Sequence, residues 1–378
     1  MVRQIFGDAM TQTILPPIGM LAELTHRCPL QCAYCSNPVE LLKANREMAT
    51  EAWLALFDQA ADLGVLQIHL SGGEPTLRPD LEVLVERLAN RGVYTNLITA
   101  GVSLAEGRME ALAQAGLDHV QVSFQGAFAP TTEKIGNHRG AHEKKMETAR
   151  QVRAAGLPLT INAPIHRHNI EEVPAFIDLA LALNAERLEI ANVQYAGWAL
   201  LNRNALMPDR ASVERQVETV RKAQEDLYGI LAIDFITPDY FAMYPKPCMG
   251  GWARDAFVVA PDGSVLPCHA AGTIPDLVFD RFGDKSLAEI WLQSKAFNAF
   301  RGTDWMSEPC RSCERQEIDW GGCRCQAMAL AGSAAETDPA CAKSPLHARM
   351  ATLIDEAMAA DRDEFRYRRI GSPVLERQ

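Results

Sequence analysis

The segment THRCPLQCAYCSNP, residues 25–38, concentrates three cysteines within eight residues. These are Cys28, Cys32 and Cys35. The segment directly follows an apolar run, 18–24, that predicts a β-strand. Thiolates are soft ligands that select zinc, copper(I) or iron–sulfur clusters. A structural zinc site takes four ligands, and only His26 stands close enough in the sequence to complete one. The alternative is an iron–sulfur cluster held at three corners, with one iron open to an external ligand.

The chain downstream alternates strand and helix patterns, which predicts an α/β fold with a parallel sheet. The predicted strands are 18–24, 65–70, 93–99, 119–123, 159–162 and 187–190. The predicted helices are 51–63, 80–90, 104–115, 141–155, 171–183 and 209–228. Glycines 64, 92, 116 and 156 stand where helices are expected to end. Six repeats predict a partial barrel or an open sheet, with reactive groups on loops at the carboxyl ends of the strands.

The last third of the chain has a different composition. No cysteine occurs between Cys35 and Cys248, and seven follow: Cys248, Cys268, Cys310, Cys313, Cys323, Cys325 and Cys341. Runs 256–260 and 264–266 around Pro-Asp-Gly predict a β-hairpin, and 287–300 predicts a helix. With so few regular elements, we expect bound metal to hold this segment together. The predicted domains are an N-terminal segment 1–14, an α/β domain 15–235, a cysteine-rich domain 236–345, and a C-terminal helix with a basic surface tail, 346–378.

Composition excludes several classes of protein. The chain has 378 residues, 48% hydrophobic, which supports a large core and excludes overall disorder. Its 37 basic and 48 acidic residues give a net charge of −11, which argues against nucleic acid as a partner. No apolar stretch reaches the roughly 18 residues of a membrane span. The N-terminus lacks the pattern of a signal peptide, so we expect a cytoplasmic protein with no membrane partner. In that compartment cysteines favour metal binding over disulfides.

The spacing C-x3-C-x2-C, with Tyr34 before the third cysteine, resembles the radical S-adenosylmethionine (SAM) superfamily. The resemblance implies a partial (β/α)6 radical SAM barrel and a [4Fe–4S] cluster on the three cysteines. SAM would chelate the open iron, and its reductive cleavage would give a 5′-deoxyadenosyl radical. In Gly-Gly-Glu at 72–74, glycines allow close backbone approach and a carboxylate accepts from an ammonium group. The positions that match SAM contacts of the superfamily are Tyr34, Gly72, Gly73, Glu74, Ser123 and Asn162. For Ser123 and Asn162 the alternative is an ordinary polar residue at a strand end.

The later cysteines resemble the SPASM extension of this superfamily, whose central pattern is C-x2-C-x5-C-x3-C. Here Asp319 stands at the third position, and Cys325 follows the fourth. By the interleaved order of the family, one auxiliary iron–sulfur cluster would use Cys248, Cys268, Cys323 and Cys325. The other would use Cys310, Cys313, Asp319 and Cys341. Each could be [4Fe–4S] or [2Fe–2S]. The alternatives are zinc for the whole region and a loop-capping role for Asp319. Arg324, between two of the cysteines, could tune a cluster potential or lie at the surface.

Longer strings are similar to the PqqA peptide cyclases, the PqqE family of pyrroloquinoline quinone (PQQ) biosynthesis. They include HLSGGEPTLRPDL at 69–81, QYAGWALLNRNALMP at 194–208 and EPCRSCERQEIDWGGCRCQA at 308–327. The resemblance implies a C–C cross-link between a Glu and a Tyr side chain of the peptide PqqA, with auxiliary clusters assisting electron transfer. It also implies the chaperone PqqD and a flavodoxin-type reductant as partners. The alternatives are another SPASM peptide modifier, either sulfatase-maturing or thioether-forming, and a non-catalytic iron–sulfur electron carrier. The sequence assigns no catalytic residue.

Overall fold

The computed structural model describes residues 14–360 and 363–369. Its β-strands are β1 Gly19–Thr25, β2 Gln67–Gly72, β3 Tyr94–Thr99, β4 His119–Ser123, β5 Leu159–Ile165, β6 Arg187–Asn192, β7 Ala232–Ile236, β8 Ala256–Val259 and β9 Val265–Leu266. Its α-helices are α1 Thr50–Leu63, α2 Leu81–Asn90, α3 Arg108–Gln114, α4 Ala129–Gly136, α5 Ala141–Ala154, α6 Val173–Ala182, α7 Gly197–Leu201, α8 Arg203–Leu206, α9 Arg210–Asp226, α10 Leu287–Gln293, α11 Lys295–Asn298, α12 Gln316–Asp319, α13 Arg324–Ala331 and α14 Ala348–Ala359. In the described part of the chain, no helix is both long and apolar enough to cross a bilayer.

The chain forms two compact units that alternate along the sequence. The first unit contains Met1–His26, described from residue 14, together with Leu42–Thr95 and Met243–Arg349. Here β1 pairs in parallel with β2 on one side and with β8 on the other, so that Leu21 lies opposite both His69 and Val258. The cysteine-rich part of the chain therefore contributes a strand beside β1.

Helix α1 illustrates how the first unit builds its core. Its buried residues recur every three or four positions, so they form one face: Trp53, Leu56, Phe57, Ala60 and Leu63. The helix ends at Gly64, whose φ of 107° places it in the left-handed region that glycine adopts without strain.

The predicted β-hairpin is confirmed, since β8 and β9 pair in antiparallel fashion. Its turn is fixed by Asp262, whose Oδ1 accepts from the Ser264 N–H at 3.1 Å, and by Gly263 at a φ of 87°. The single helix predicted over 287–300 is wrong, because Ser294 adopts an extended conformation (ψ 128°) that separates α10 from α11.

The second unit contains Arg27–Leu41, Asn96–Ala242 and Met350–Gln378, the last described in part. Strands β3 to β7 pair in parallel and in sequence order. This matches the α/β fold class predicted from the sequence. Strand β7 was not among the six predicted strands; it pairs with β6, with Leu188 opposite Ile233. Helices α4, α7 and α8 were also not predicted.

The C-terminal segment, residues 363–369, is mostly exposed, as expected for a surface tail, but one of its arginines is buried. Arg368 is only 3% exposed. The Phe365 ring packs on His168, with 5.1 Å between ring centroids, and the Tyr367 hydroxyl donates to the Lys134 carbonyl at 3.0 Å. Arg362, another basic residue of the predicted tail, lies outside the described residues. The predicted domain boundaries stay predictions.

Candidate active site and metal centres

The three-cysteine loop belongs to the second unit and is fixed by backbone hydrogen bonds. The Gln31 N–H donates to the Gly136 carbonyl at 2.9 Å, at the end of α4. The Ala33 carbonyl accepts from Nδ2 of the buried Asn202 at 2.7 Å. The same amide donates to the Arg366 carbonyl at 2.8 Å, and its oxygen accepts from the Arg366 N–H at 2.7 Å. One side chain therefore joins the cysteine loop to the C-terminal segment.

The thiols of this loop are half-buried, and none of the ten cysteines, all of which lie among the described residues, forms a disulfide. Cys28 and Cys32 pack against Leu30 and its apolar neighbours, while Cys35 Sγ donates to Asn37 Oδ1 at 3.2 Å. Burial raises the pKa of the Cys32 thiol to about 12, whereas the positive charges of Lys145 and Arg368 act to lower it. The loop thus presents three thiols, and one of them, Cys32, lies close enough to two buried cations to feel their charge.

Tyr34 is held by residues that the sequence analysis did not find. Its hydroxyl accepts from Gln125 Nε2 at 3.0 Å, and its ring lies 5.7 Å from the His166 ring. Burial raises the pKa of Tyr34 well above its usual value. Among the described residues, Gln125 Oε1 and His166 Nε2 are buried polar atoms without a hydrogen-bond partner. Two polar atoms beside Tyr34 therefore remain open to a bound molecule. In the sequence, the only indication of Gln125 and His166 is that they closely follow the predicted strands at β4 and β5.

Ser123 and Asn162 lie directly opposite each other on β4 and β5. Asn162 Nδ2 donates to Glu189 Oε2 at 2.8 Å, and the Ser123 carbonyl accepts from Lys145 Nζ at 2.7 Å. The structure brings the two residues together, but these contacts also fit ordinary polar residues at strand ends. Their contact with SAM stays a prediction.

The Gly-Gly-Glu segment belongs to the first unit and follows β2. A Cβ at Gly72, whose φ is 122°, would lie 2.4 Å from the Thr25 carbonyl oxygen, so glycine is required there. The Gly73 N–H donates to the same carbonyl at 2.5 Å. Glu74 is fully buried, and its Oε1 accepts from the backbone and hydroxyl of Thr76 at 3.0 and 2.7 Å. This carboxylate is thus positioned by a local cap, and its SAM contact stays a prediction.

His26, the residue considered as a fourth zinc ligand, also belongs to the first unit. Its Nδ1 accepts from the Leu42 N–H at 3.0 Å, and its Nε2 lies 3.5 Å from Glu23 Oε2. Both ring nitrogens are therefore engaged within the protein, and binding zinc would break one of these interactions.

The structure brings together the first predicted auxiliary set, which is Cys248, Cys268, Cys323 and Cys325. The sulfur atoms of Cys268 and Cys325 are 4.0 Å apart. Cys248 contacts both Cys268 and Cys323, and its hydrogen bond to Cys268 is the main reason that its pKa rises to about 12. Four thiols from three separate stretches of the chain form one buried group.

The second predicted set, Cys310, Cys313, Asp319 and Cys341, lines one small, partly open cavity of about 10 Å³. Asp319 is 7% exposed; its Oδ2 accepts from Arg315 Nε and its Oδ1 from the Gly321 N–H, both at 3.2 Å. The carboxylate stands among the three thiols and also caps a turn, so ligation stays a prediction. No group of Cys, His, Asp and Glu side chains in the described ranges has the geometry of a preformed single-ion site.

Comparison with known proteins decides the family. Residues 22–180 match the radical SAM superfamily, and residues 248–314 match an iron–sulfur cluster-binding domain. A PqqA peptide cyclase of Methylobacterium nodulans is 57% identical over 365 residues, 96% of each chain. One from Methylorubrum populi is 56% identical over 358 residues, 95% of this chain and 93% of its own. The chain belongs to the PqqA peptide cyclase family.

Solved structures agree with this family in fold. SuiB of Streptococcus suis, bound to the precursor peptide SuiA, has a TM-score of 0.72 at 19% identity, covering 88% of this chain and 76% of that chain. The protein anSMEcpe, with bound AdoMet and the Kp18Cys peptide, has a TM-score of 0.66 at 17% identity, covering 90% of this chain and 97% of that chain. PqqA peptide cyclases therefore share the radical SAM fold with these proteins.

The residues present fit the cofactors of a radical SAM enzyme. Three thiols in one loop, none of them in a disulfide, suit a sulfur-ligated cluster, and the open polar atoms of Gln125 and His166 suit a polar cofactor beside Tyr34. This PqqA peptide cyclase family member is thus an enzyme with a SAM-binding iron–sulfur cluster and a second iron–sulfur-binding domain.

Arg324 corrects one alternative from the sequence, since it is 1% exposed and does not lie at the surface. Its guanidinium donates to backbone carbonyls and lies over the Trp305 ring, 4.7 Å from the centroid.

Proposed function

We propose that this enzyme joins a Glu and a Tyr side chain of the peptide PqqA by a C–C bond, the first step of PQQ biosynthesis. The observation that carries the proposal is 57% identity to a PqqA peptide cyclase over 96% of the chain, which includes both cysteine groups. The new bond replaces one C–H bond on each side chain, so the product contains two fewer hydrogens than PqqA.

Cys28, Cys32 and Cys35 would hold the [4Fe–4S] cluster that binds SAM. Tyr34, Gly72, Gly73, Glu74, Ser123 and Asn162 would contact SAM. When bound, the cluster and SAM supply an electron and a 5′-deoxyadenosyl radical that takes a hydrogen atom from the peptide. The chain's own contacts would orient the cofactor: half-buried Tyr34 is fixed by Gln125, and the backbone at Gly72 and Gly73 is held against Thr25.

Two auxiliary clusters would occupy the two ligand sets of the cysteine-rich region, each as [4Fe–4S] or [2Fe–2S]. Cys248, Cys268, Cys323 and Cys325 would hold one; Cys310, Cys313, Asp319 and Cys341 would hold the other. Support comes from the contacts among the first four thiols and from the common cavity of the second four residues. Because the radical removes only one of the two hydrogens, the other leaves as a proton and an electron, and these clusters would assist that electron transfer.

The enzyme would act with PqqD as the carrier of its peptide and with a flavodoxin-type reductant. The net charge of −11 suits neither nucleic acid nor an anionic surface as a partner. We place this reaction in the cytoplasm, where free cysteines persist and cluster ligands stay reduced.

Mass spectrometry of PqqA tests the function. PqqA is incubated anaerobically with the reconstituted chain, SAM, a reductant and PqqD. We expect the loss of two hydrogens, with fragmentation blocked between the cross-linked Glu and Tyr. The matched control is Cys28→Ala/Cys32→Ala/Cys35→Ala, which keeps the later cysteines and should leave PqqA unchanged.

Other outcomes separate the alternatives. 5′-Deoxyadenosine with unchanged PqqA would move the function to another peptide, as in sulfatase-maturing or thioether-forming enzymes. If iron is present in the sample but neither 5′-deoxyadenosine nor cross-linked PqqA forms, the remaining function is that of a non-catalytic electron carrier.

A further inference from the structure

Arg324 is a buried cation within the cysteine-rich region. Its Nη1 donates to the carbonyls of Ala334 and Glu336 at 2.8 and 2.9 Å, and its Nη2 donates to the Gly321 carbonyl. These contacts, with the Trp305 ring, fix the guanidinium from several sides. A side chain with so many fixed donors holds its charge in one place.

The backbone around Arg324 is shaped for this position. Gly321 and Gly322 both adopt left-handed conformations, with φ of 74° and 79°. A Cβ at Gly322 would lie 2.7 Å from the Asp338 Cβ and 2.8 Å from Pro245, and one at Gly321 would lie 3.0 Å from Trp305. The two glycines therefore allow the turn that brings the Gly321 carbonyl to the guanidinium.

The charge of Arg324 acts on residues of both predicted ligand sets. It interacts electrostatically with Cys248 and Cys323 of the first set and with Cys310 of the second. Arg324 also reaches the second set through the backbone, because it donates to the Gly321 carbonyl while the Gly321 N–H donates to Asp319 Oδ1. Asp338, which is fully buried and accepts from the Cys323 N–H at 2.8 Å, is an acidic electrostatic partner of Arg324.

Each ligand set carries four anionic donors when its cysteines are deprotonated. A buried cation near such a site stabilises the form with more negative charge, which is the reduced form of a cluster. Burial strengthens this effect because the local dielectric is lower than that of water. A nearby exposed cation should have little influence, since water and salt screen it.

We propose that the buried charge of Arg324 acts on both auxiliary sites and raises the reduction potentials of both clusters. This inference rests on the proposed function, because it requires that both ligand sets hold clusters. It goes further in assigning one residue to both sites.

The test is an EPR-monitored redox titration of the full chain carrying Cys28→Ala/Cys32→Ala/Cys35→Ala, in which only the auxiliary clusters remain. We expect Arg324→Met to shift both midpoint potentials to more negative values. Arg324→Lys keeps the charge but cannot serve the same carbonyls, so we expect near wild-type potentials with a lower melting temperature.

Arg311→Met is the matched control, because Arg311 follows the ligand Cys310 just as Arg324 follows Cys323, but is exposed. It should leave both potentials unchanged. Loss of iron from Arg324→Met and Arg324→Gln, but not from Arg324→Lys, would also show that the charge is required.

If Arg324→Met keeps both clusters and both midpoint potentials stay at their wild-type values, the role of Arg324 is overturned but the proposed function is not. Equal shifts in Arg324→Lys and Arg324→Met would overturn it too, because shape rather than charge would then matter. If the reconstituted wild-type chain holds no auxiliary clusters, both the proposed ligand assignments and the role of Arg324 are overturned.

Discussion

Asp319 stands where the SPASM pattern has a cysteine, and its carboxylate shares a cavity with three thiols. Carboxylate is a harder ligand than thiolate, so replacing the Asp319 carboxylate by a thiolate should alter the electronic structure of one cluster. We expect Asp319→Cys to keep the iron content and to change the EPR signal of one auxiliary cluster. Quantitative iron analysis and EPR spectroscopy check this.

Glu317→Cys is the control for that variant, because Glu317 belongs to the same short helix α12 but is exposed. It should leave the spectrum unaltered. If Asp319→Cys also left the spectrum unaltered, Asp319 would be only the turn cap that its contacts with Arg315 and the Gly321 N–H describe.

His166 gives a prediction on pH. It is fully buried, its Nδ1 accepts from the His168 N–H at 3.2 Å, and burial lowers its pKa to about 3. Because the unfolded state binds the proton near the ordinary value of 6.5, stability is full above that pH and falls as the pH drops toward 3. We expect the urea midpoint of the iron-free chain to fall less between pH 7 and 5 in His166→Gln than in the wild type. Parallel profiles would contradict this origin.

At the scale of elements, the C-terminal segment depends on Asn202, which stands between α7 and α8. Asn202→Ala removes the hydrogen bonds to the Ala33 carbonyl and to both backbone groups of Arg366. We expect a loss of free energy of unfolding on the order of 2 kcal/mol, since buried polar groups lose their partners. Thermal unfolding measures this, and limited proteolysis should show faster cleavage of residues 363–369.

Asn204→Ala is the matched control, two residues further along in α8. The Asn204 side chain accepts only a 3.3 Å hydrogen bond from its neighbour Arg203 among its side-chain contacts with described residues. Both measurements should stay near those of the wild type. Equal cleavage in both variants would show that other contacts hold the segment.

Elements with a strong local pattern were predictable from the sequence. Strand β4 has the predicted bounds, and the hairpin of β8 and β9 follows from its Pro-Asp-Gly turn. Strand β7 was missed because it is a short edge strand whose alternate residues, such as Ala232 and Asp234, are exposed. The division at Ser294 was missed because serine is also compatible with a helix interior.

For the whole molecule, metal removal is the informative perturbation. The stretch Met243–Arg349 of the first unit has short elements and seven cysteines, so we expect bound metal to be its main support. We expect chelation of iron to increase amide hydrogen exchange throughout this stretch. Helix α9, which carries ion pairs such as Arg221 with Glu225, should keep its protection and serves as the internal control. Uniform loss of protection would instead indicate global unfolding.

The candidate site was predictable only where spacing encodes chemistry. Cysteine spacing and the family pattern predicted the two auxiliary groups, and the thiols of the first do meet in the structure. The supporting residues were not predictable, because their contacts join distant parts of the chain. Gln125 reaches Tyr34 across 91 positions, and Asn202 reaches Arg366 across 164. Such pairs carry no local signal.

The pairing of β1 with β8 has a consequence for biosynthesis. Gly19 lies opposite Ala256, so the partner of this strand leaves the ribosome more than two hundred residues later. At roughly 5–20 residues per second, the wait lasts about 10–50 s. Throughout that time the edge of β1 that will pair with β8 is uncovered on the nascent chain, and an uncovered strand edge is a template for unwanted association. Strands β3 to β7 are synthesised before β8 covers this edge. Production of this protein should therefore depend on chaperones that bind the early chain.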